Sequence, residues 1–413
     1  MRPTTVRQCA ILAGGLGTRL GNLTATTPKP ILPCGDRPFL AWLLREFIRF
    51  GVEEFLLLTG HLSGRIRESI AAIAATLPRR VAIEISEEPA PAGTGGALCA
   101  ARDRLDERFL LCNGNSLFDC NIAGLLAAAA ADPDEVVGRI MLKHLPDASR
   151  SGVVETAGEV VRAFRERPDA AGPVPGTINA GIYVFDRRVL DLVAPVCSLE
   201  RDVLPALAAR GALRGTVASG AFIDIGVPAD LARARLELPR RLHRPALFLD
   251  RDGVLNVDLG WVGTRDRFIW TEGAIEAVRD AVSFGWHVFV VTNQSGVAHG
   301  FYDEAAVKDL MRWMAEQLRA GGGTLDDWRF CPFHPDAKVD RWRRESDWRK
   351  PAPGMLLDLI RVWELDPARA VMIGDSERDM EAAAAAGVRG VLFPGGNLAA
   401  FVETMCSLKR GPA

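Results

Sequence analysis

Residues 8–19 have the sequence QCAILAGGLGTR, an apolar run followed directly by a glycine-rich turn. The run Gln8–Ala13 is typical of a buried strand, and the glycines after it allow the backbone to turn tightly. Successive backbone N–H groups in such a turn can point at an anion. Because α/β sheets bind ligands at the carboxyl ends of their strands, this stretch predicts an α/β fold with a phosphate site at one sheet edge.

Strand-like runs and amphipathic segments alternate along the whole chain, which favours α/β architecture with largely parallel sheets. Further strands are predicted at Phe55–Thr59, Val81–Ile85, Phe109–Cys112, Ala246–Asp250, Val288–Thr292, Ala370–Ile373 and Gly390–Phe393. Helical spacing in the second half predicts one apolar helix face, formed by Val307, Leu310, Met311, Met314 and Leu318.

The composition is that of a soluble globular protein, with 48% apolar and 25% charged residues. A formal net charge of -2 gives no basic field that would favour a nucleic-acid partner. We find neither a signal peptide nor an apolar run long enough to span a membrane. The eight cysteines are scattered without a C-x-x-C pair, which predicts a reduced cytoplasmic protein.

A chain of 413 residues is too long for one ordinary core and is expected to form more than one domain. Residues 236–245, LELPRRLHRP, are basic and rich in proline, the composition of a short linker. Tryptophan usage changes there too, because only Trp42 precedes this segment and eight tryptophans follow it. We predict a first domain at 1–238, a linker at 239–244 and a second domain at 245–405.

Two cations add weight to the first glycine turn. Arg19 ends the turn, and Lys29 lies between two prolines shortly after it. A glycine turn alone is more often a plain strand-to-helix connection. Together with two cations that can surround a phosphate chain, it is a much more specific indication of a phosphate site.

These residues also carry a family resemblance. LAGGLGTRL and TTPKPILP resemble the signature of sugar-1-phosphate nucleotidyltransferases, and the resemblance continues in order to about residue 236. It implies a Rossmann-like, GT-A-like domain in which a sugar 1-phosphate attacks a nucleoside triphosphate with the help of Mg²⁺. The matching segments are Gly93–Ala97 (second glycine loop), Asn113–Asn115 (metal turn), Phe164–Pro168 (sugar phosphate), Asn179–Tyr183 (sugar strand) and Asp224 (second metal carboxylate).

The resemblance also implies roles for single residues. It assigns catalysis to Arg19 and Lys29, and Mg²⁺ to Asn115 and Asp224. Nucleotide binding falls to Leu12, Gly14, Gly15, Gly17, Thr18 and Gly95, and sugar-phosphate binding to Glu166, Arg167 and Asn179. Asn115 departs from the family, which usually has an aspartate there, and an amide is a poorer ligand for Mg²⁺ than a carboxylate.

The second half contains a different motif, Asp250-Arg251-Asp252-Gly253, after a predicted buried strand. Carboxylates at i and i+2 point to the same side of a strand, so one can act as a nucleophile and the other as acid and base. Alone, such a pair is about as often a capped turn.

Three later segments decide between these interpretations. Thr292-Asn293-Gln294, Arg349-Lys350-Pro351 and Gly374–Asp379 complete, in order, a resemblance to haloacid-dehalogenase-type (HAD) phosphatases over residues 245–398. The resemblance implies a HAD-like Rossmannoid domain with Asp250 as nucleophile and Asp252 as general acid and base. It assigns phosphate binding to Thr292, Asn293, Arg349 and Lys350, and Mg²⁺ to Asp250, the Asp252 carbonyl and Asp375, with Asp379 in support.

The motifs are most similar to the capless branch that contains heptose-bisphosphate and histidinol-phosphate phosphatases. That branch has a zinc loop, but only Cys331 is kept here, and Phe333, Ser346 and Trp348 occupy the other ligand positions. We therefore expect no zinc, and expect Phe333 to pack with Trp348, and with Trp342, in its place. His299 is a further candidate for contact with substrate phosphate.

The two resemblances together imply consecutive steps of one pathway. The second domain would remove the 7-phosphate of D-glycero-D-manno-heptose 1,7-bisphosphate, and the first would join heptose 1-phosphate to a nucleotide, GMP from GTP. The partners are then sugar phosphates and a nucleoside triphosphate, with homo-oligomerisation left open. Two alternatives remain: another sugar and base, or an active phosphatase joined to a non-catalytic sugar-phosphate-binding module.

Overall fold

The computed structural model describes residues 6–148, 152–165, 173–241 and 244–406. It divides the chain into two compact units, Met1–Pro239 and Arg240–Ala413. Each unit has the α/β composition that the sequence predicts, so the predicted fold class is confirmed. No helix in the described ranges is long and apolar enough to cross a membrane.

The described strands lie at β1 Gln8–Leu12, β2 Pro33–Cys34, β3 Arg37–Pro38, β4 Glu54–Thr59, β5 Ala82–Glu87, β6 Arg108–Asn113, β7 Ser116–Phe118, β8 Gly138–Leu145, β9 Val153–Ala157, β10 Val160–Arg165, β11 Gly176–Asp186, β12 Leu213–Ala218, β13 Phe222–Asp224, β14 Ala246–Leu249, β15 His287–Asn293, β16 Asp327–Cys331, β17 Ala370–Gly374 and β18 Arg389–Leu392. The α-helices lie at α1 Phe39–Arg49, α2 Ser63–Ala75, α3 Gly93–Ala100, α4 Ile122–Ala131, α5 Leu204–Ala209, α6 Pro228–Arg241, α7 Ala274–Ser283, α8 Ser295–Ala298, α9 Glu304–Ala320, α10 Gly354–Trp363, α11 Glu377–Ala385 and α12 Leu398–Met405.

The first unit is built on a nine-stranded sheet with the order β5-β4-β1-β6-β11-β8-β12-β10-β9. The strands from β5 to β6 are parallel, as predicted, whereas β11 runs antiparallel to β6 and β8. The sheet is therefore mixed, which differs from the largely parallel sheet expected. A further antiparallel pair has a local reason: β9 and β10 are joined by a tight turn at Gly158, and a connection this short permits only an antiparallel pair.

The second unit has a five-stranded, fully parallel sheet with the order β16-β15-β14-β17-β18. Strand β14 lies between β15 and β17, so the segments that follow these three strands meet at one sheet edge. The apolar face predicted for α9 is confirmed, because Val307, Leu310, Met311, Met314 and Leu318 are all buried.

The segment between the units differs from the linker that the sequence predicts. Helix α6 continues through Pro239 to Arg241, so the first half of the expected linker is helical. Tertiary packing accounts for this: Leu238 is fully buried, and the ring of Pro239 packs so closely on Gly35 that a Cβ there would lie 2.3 Å away. Residues 242 and 243 lie outside the described ranges.

Candidate active sites

The first unit contains a cavity of about 380 Å³ at the carboxyl ends of β1, β4 and β6. Leu12, Gly14 and Gly15 form one side of it, as the glycine turn predicts. Its remaining wall is formed by Ala13, Leu16, Lys29, Pro30, Leu58, Glu88, Pro91, Gly93, Thr94, Ala97, Asn113, Gly114, Asn115 and Glu200. The two segments that the family resemblance assigns to nucleotide and metal therefore meet at one cavity.

Arg19, Lys29 and Asp224 form one electrostatic group beside this cavity. Partial burial and the nearby charge of Arg19 lower the pKa of Lys29, and Asp224 opposes that change. Gly226 leaves room for the group, because a Cβ there would lie 2.5 Å from Asp224 Oδ1 and 3.1 Å from Arg19 Nη2. Two cations and one carboxylate thus lie close together beside the cavity.

Asp224 is held in place by three donors. Strand β13 pairs with β7 so that Asp224 lies opposite Ser116, whose Oγ donates to Asp224 Oδ2 at 2.9 Å. The Gly226 N–H donates to Oδ1 at 2.6 Å, and Asn115 Nδ2 donates to Oδ2 at 3.2 Å. The amide of Asn115 thus faces the carboxylate as a donor. The pair fits a divalent ion only in part, because Asp224 is its one carboxylate and Asn115 is a neutral amide, which is a poorer ligand for a hard cation.

Several residues predicted to bind nucleotide or sugar are not among those that line the cavity. Gly17 packs on Thr24, Thr18 begins a 3-10 helix, and a Cβ on Gly95 would lie 2.4 Å from Cys197 Sγ. Asn179 donates to Tyr183 Oη at 2.8 Å and accepts from the Gly181 N–H at 3.0 Å, so its amide is used inside the protein. Glu166 and Arg167 lie outside the described residues.

Two residues that line the cavity, Glu88 and Glu200, were not predicted from the sequence. Glu88 follows β5 directly, and Glu200 accepts hydrogen bonds from Thr94 Oγ1 at 2.7 Å and Ser198 Oγ at 3.0 Å. The position of Glu88 after a predicted strand was a usable indication. Glu200 could not be found in this way, because it lies 106 residues from its partner Thr94.

The second unit brings Asp250, Lys350 and Asp379 together at the edge of its sheet. Lys350 Nζ lies 2.7 Å from Asp250 Oδ2 and 2.5 Å from Asp379 Oδ1, and it also donates to the Val291 carbonyl at 3.0 Å. All three charged side chains are buried. Two buried carboxylates repel one another, and the ammonium group between them allows both to stay close together.

Burial and charge shift the titration of this group. Burial raises the pKa of Asp250 to about 7, while Lys350 opposes this rise and Asp379 adds to it. Burial by itself would lower the pKa of Lys350, but Asp250 and Asp379 outweigh it and raise that pKa. Burial and the charge of Asp379 also raise the pKa of Asp375. The site therefore holds excess negative charge that a further cation would stabilise.

The carboxylates of Asp250, Asp375 and Asp379 fit a divalent metal ion. One oxygen from each lies within 4.8 Å of the others. Gly253 and Gly374 make this approach possible: a Cβ on Gly253 would lie 1.9 Å from Asp375 Oδ2, and one on Gly374 would lie 2.2 Å from Asp379 Cβ. HAD phosphatases and nucleotidyltransferases generally use a divalent metal, and oxygen donors of this kind suit such an ion.

Asp252 is oriented by its own set of hydrogen bonds. Its carboxylate accepts from Arg251 Nη2 at 2.8 Å, Asn256 Nδ2 at 3.0 Å and Gln294 Nε2 at 2.9 Å. The Gln294 amide also donates to Thr292 Oγ1 at 2.9 Å and accepts from Tyr302 Oη at 2.8 Å. Gln294 therefore connects Thr292, which was predicted to bind phosphate, to Asp252, the predicted general acid. Gln294 itself had been given no role from the sequence.

Asn293 and Arg349 contribute differently from one another. Asn293 exchanges two hydrogen bonds with the Lys350 backbone, at 3.0 and 3.1 Å, so it positions the lysine. Arg349 lines a cavity of about 320 Å³ with His334 and Arg378, and burial lowers its pKa. The ring of His299 lies 5.1 Å from that of His334, which places it near this basic cavity.

The loop from Cys331 to Trp348 contains one of the two aromatic contacts expected of it. The rings of Phe333 and Trp342 lie 5.3 Å apart, and the Arg344 guanidinium lies 3.8 Å from the Phe333 ring centroid. Trp348 lines a cavity of about 470 Å³ together with Phe333 and Trp342, and a Cβ on Gly354 would lie 2.9 Å from its Cδ1. The expected contact of Phe333 with Trp342 is therefore present, whereas no ring pair between Phe333 and Trp348 is found among the described residues.

Comparison with known proteins divides the chain into the same two halves as the structure does. A family model described as nucleotidyl transferase matches residues 9–241, and one described as HAD-hydrolase-like matches residues 347–402. The D-glycero-beta-D-manno-heptose-1,7-bisphosphate 7-phosphatase of Rhodopseudomonas palustris is 48% identical over 161 residues, 39% of this chain and 89% of that protein. Its counterpart in Escherichia coli K12 is 44% identical over 144 residues, 35% of this chain and 75% of the relative.

The first half of the chain is also similar to a solved structure. HddC from Yersinia pseudotuberculosis is 27% identical with a TM-score of 0.50, over 56% of this chain and 99% of that one. The two halves are therefore similar to two separate kinds of enzyme.

Proposed function

The chain belongs to the nucleotidyl transferase family over residues 9–241, and also to the D-glycero-beta-D-manno-heptose-1,7-bisphosphate 7-phosphatase family; on this premise, we propose that it catalyses two consecutive steps. The second unit hydrolyses the 7-phosphate of heptose 1,7-bisphosphate. The first unit then transfers a nucleotidyl group, GMP from GTP, to the heptose 1-phosphate that remains. The order follows from the chemistry, since the product of the hydrolysis is the substrate of the transfer.

In the hydrolysis, an Asp250 oxygen attacks the phosphorus and the bond from phosphorus to the sugar oxygen breaks. Asp252 gives its proton to that leaving oxygen, and Gln294 and Arg251 hold its carboxyl in position. Asp252 then takes a proton from water, which attacks the aspartyl-phosphate and releases inorganic phosphate. Lys350 and Thr292 hold the phosphoryl oxygens.

In the transfer, a phosphate oxygen of heptose 1-phosphate attacks the α-phosphorus of the triphosphate. The bond between the α-phosphorus and its bridging oxygen breaks, and pyrophosphate leaves. Arg19 and Lys29 stabilise the charge on the leaving group. The protein needs no nucleophile of its own, because heptose 1-phosphate supplies the attacking oxygen. The turn at Gly14 and Gly15 holds the triphosphate.

Mg²⁺ is the metal we propose for both units. In the second unit, Asp250, Asp375, the Asp252 carbonyl and the supporting Asp379 would hold it. In the first unit, Asp224 and Asn115 would do so together with the nucleotide. The ion offsets the repulsion between anionic reactants.

The observation that carries this proposal is the meeting of Asp250, Lys350, Asp375 and Asp379 at one edge of the sheet. One observation favours a second candidate for the first unit. Asp224 is the one carboxylate assigned to the metal of this unit and its neighbour Asn115 is neutral, which favours a module that binds sugar phosphate without catalysis.

We predict that the protein releases pyrophosphate from GTP and heptose 1-phosphate, with a high Mg²⁺ requirement or a preference for Mn²⁺. Asn115→Asp should lower the Mg²⁺ concentration for half-maximal rate by about tenfold, because a carboxylate replaces a neutral ligand. Pyrophosphate release is measured across a range of Mg²⁺ concentrations in both proteins.

Asn121→Asp is the matched control, since it adds the same charge to the first unit and can still cap α4. It should leave the Mg²⁺ dependence as it is. If the natural chain releases no pyrophosphate with any nucleotide and Asn115→Asp restores release, the non-catalytic candidate is correct.

A further inference from the structure

The cavity of about 470 Å³ in the second unit has no part in the proposed reactions. Five aromatic side chains line it: β16 contributes Trp328 and Phe330, and the loop after this strand contributes Phe333, Trp342 and Trp348. We call it the aromatic cavity. Its size and its rings raise the question of which ligand it could hold.

The rings of the aromatic cavity do not form a closed core. Phe330 is buried, but the other four rings are only half-buried. Phe333 and Trp342 lie 5.3 Å apart with their planes tilted by 59°, so they contact one another without covering each other's faces. Rings that only stabilised the loop would gain most from full burial. The cavity therefore offers aromatic faces to a ligand.

Two cations lie beside these faces. Lys308, on α9, and Arg344, in the loop, both line the cavity and are exposed. Neither forms an ion pair with a residue in the described ranges, whereas Arg329 is paired with Asp327 and Asp358. Lys308 and Arg344 are therefore available to an anionic group of a ligand.

Arg344 also indicates how a flat group can fit. Its guanidinium lies 3.8 Å from the centroid of the Phe333 ring. A guanidinium and a nucleobase are both planar and both stack on aromatic rings, so a base can take the place of this side chain. The displaced guanidinium can then contact a phosphate. Glu304 and Asp347, which also line the cavity, offer acceptors for the amino group of a purine.

One residue connects the aromatic cavity to the phosphatase site. The ring of Phe333 lines the cavity, while its carbonyl accepts a hydrogen bond from Arg349 Nη1 at 3.1 Å. Arg349 lines the basic cavity together with Lys350, and both are assigned to phosphate binding. A ligand that moves Phe333 therefore alters how Arg349 is held.

We propose that the aromatic cavity binds a purine nucleotide as an effector of the phosphatase, an inference that rests on the proposed hydrolysis and goes beyond it. The base stacks on the half-buried rings, and the phosphates contact Lys308 and Arg344. The bound nucleotide draws the Phe333 carbonyl away from Arg349 and so weakens substrate binding. Nucleotides are also the ligands of the family to which the first unit belongs, so one chain would meet them twice.

Tryptophan fluorescence tests the binding step in the full-length protein. Three of the nine tryptophans line the aromatic cavity, whereas the first unit contains only Trp42, which is buried and does not line the nucleotide cavity. Quenching therefore reports on the second unit. GDP and ADP should both quench in a saturable manner, with affinities within about threefold of one another, because stacking tolerates either base.

Arg344→Gln and Lys308→Gln should each weaken GDP binding by about tenfold, because each removes a charge-assisted contact with phosphate. Arg312→Gln is the matched control. Arg312 is exposed on the same helix as Lys308 and does not line the cavity, so this variant should bind GDP as the natural protein does. Natural GDP affinity in both Arg344→Gln and Lys308→Gln would overturn the inference.

The effector role is measured as the KM for heptose 1,7-bisphosphate. Saturating GDP should raise this KM by about fivefold and leave kcat unchanged. Arg344→Gln should need about tenfold more GDP for the same rise. The inference is overturned if GDP leaves the KM unchanged, or if the same GDP concentration raises it equally in Arg344→Gln, as simple competition at Asp250 would.

Failure of this inference differs from failure of the proposed function. Normal phosphate release that does not respond to GDP would keep the hydrolysis and remove the effector. Quenching by GDP that depends on Arg344, in a protein that releases no phosphate from the bisphosphate, would do the reverse.

Discussion

Asp250→Asn is expected to lower phosphate release from heptose 1,7-bisphosphate by about 10⁴-fold or more, because an amide cannot form the aspartyl-phosphate. Nucleotidyl transfer to added heptose 1-phosphate should stay unchanged, since that site lies in the other unit. Phosphate and pyrophosphate are measured separately in the same preparation. The isosteric change leaves Lys350 paired with Asp379, so the second unit should still fold.

Asp280→Asn serves as the control for this variant. Asp280 pairs with Arg279 on the surface of α7, and the same chemical change there should alter neither rate. Phosphate release that survives in Asp250→Asn would show that another residue is the nucleophile.

Asp224→Ala should reduce pyrophosphate release by about 10³-fold or more while phosphate release continues at its natural rate. The substitution removes the one carboxylate assigned to the nucleotide's metal and leaves Ser116 Oγ and the Gly226 N–H without their acceptor. Initial rates of both products at saturating Mg²⁺ measure the effect.

The comparison variant is Asp103→Ala, which removes an exposed carboxylate of the first unit. Its two rates should match those of the natural protein. If Asp224→Ala transfers nucleotide at a normal rate, the metal site must lie elsewhere in the unit.

The second site could be predicted largely from sequence because its residues follow parallel strands. Asp250 and Asp375 come directly after β14 and β17, and Lys350 lies within a short motif. The carboxyl ends of neighbouring parallel strands meet at one edge, so order along the chain was enough to place these residues together. The hydrogen bonds from Gln294 and Arg251 that orient Asp252 could not be predicted from the sequence, because they depend on where these side chains point in the folded unit.

The first site was less predictable because its contacts join distant segments. That Asn115 donates to Asp224 across 109 residues depends on the register of paired strands. Asn179 and Tyr183 lie only four residues apart on β11, but their bond accompanies an irregularity of that strand that no sequence pattern indicates. The position of Glu88 shows the same limit: its carboxylate lies in the space left by Gly14 and Gly60, and no local pattern connects these three residues. The helical continuation through Pro239 likewise depends on packing against Gly35.

The central claim is that one chain performs both steps in order. The most direct test incubates the full-length protein with Mg²⁺, GTP and heptose 1,7-bisphosphate as the only sugar, and follows phosphate and pyrophosphate over time. We predict that phosphate appears first, that pyrophosphate follows until the two are equal, and that Asp250→Asn releases neither. Phosphate without any pyrophosphate, or pyrophosphate formed at the natural rate by Asp250→Asn, would contradict the claim.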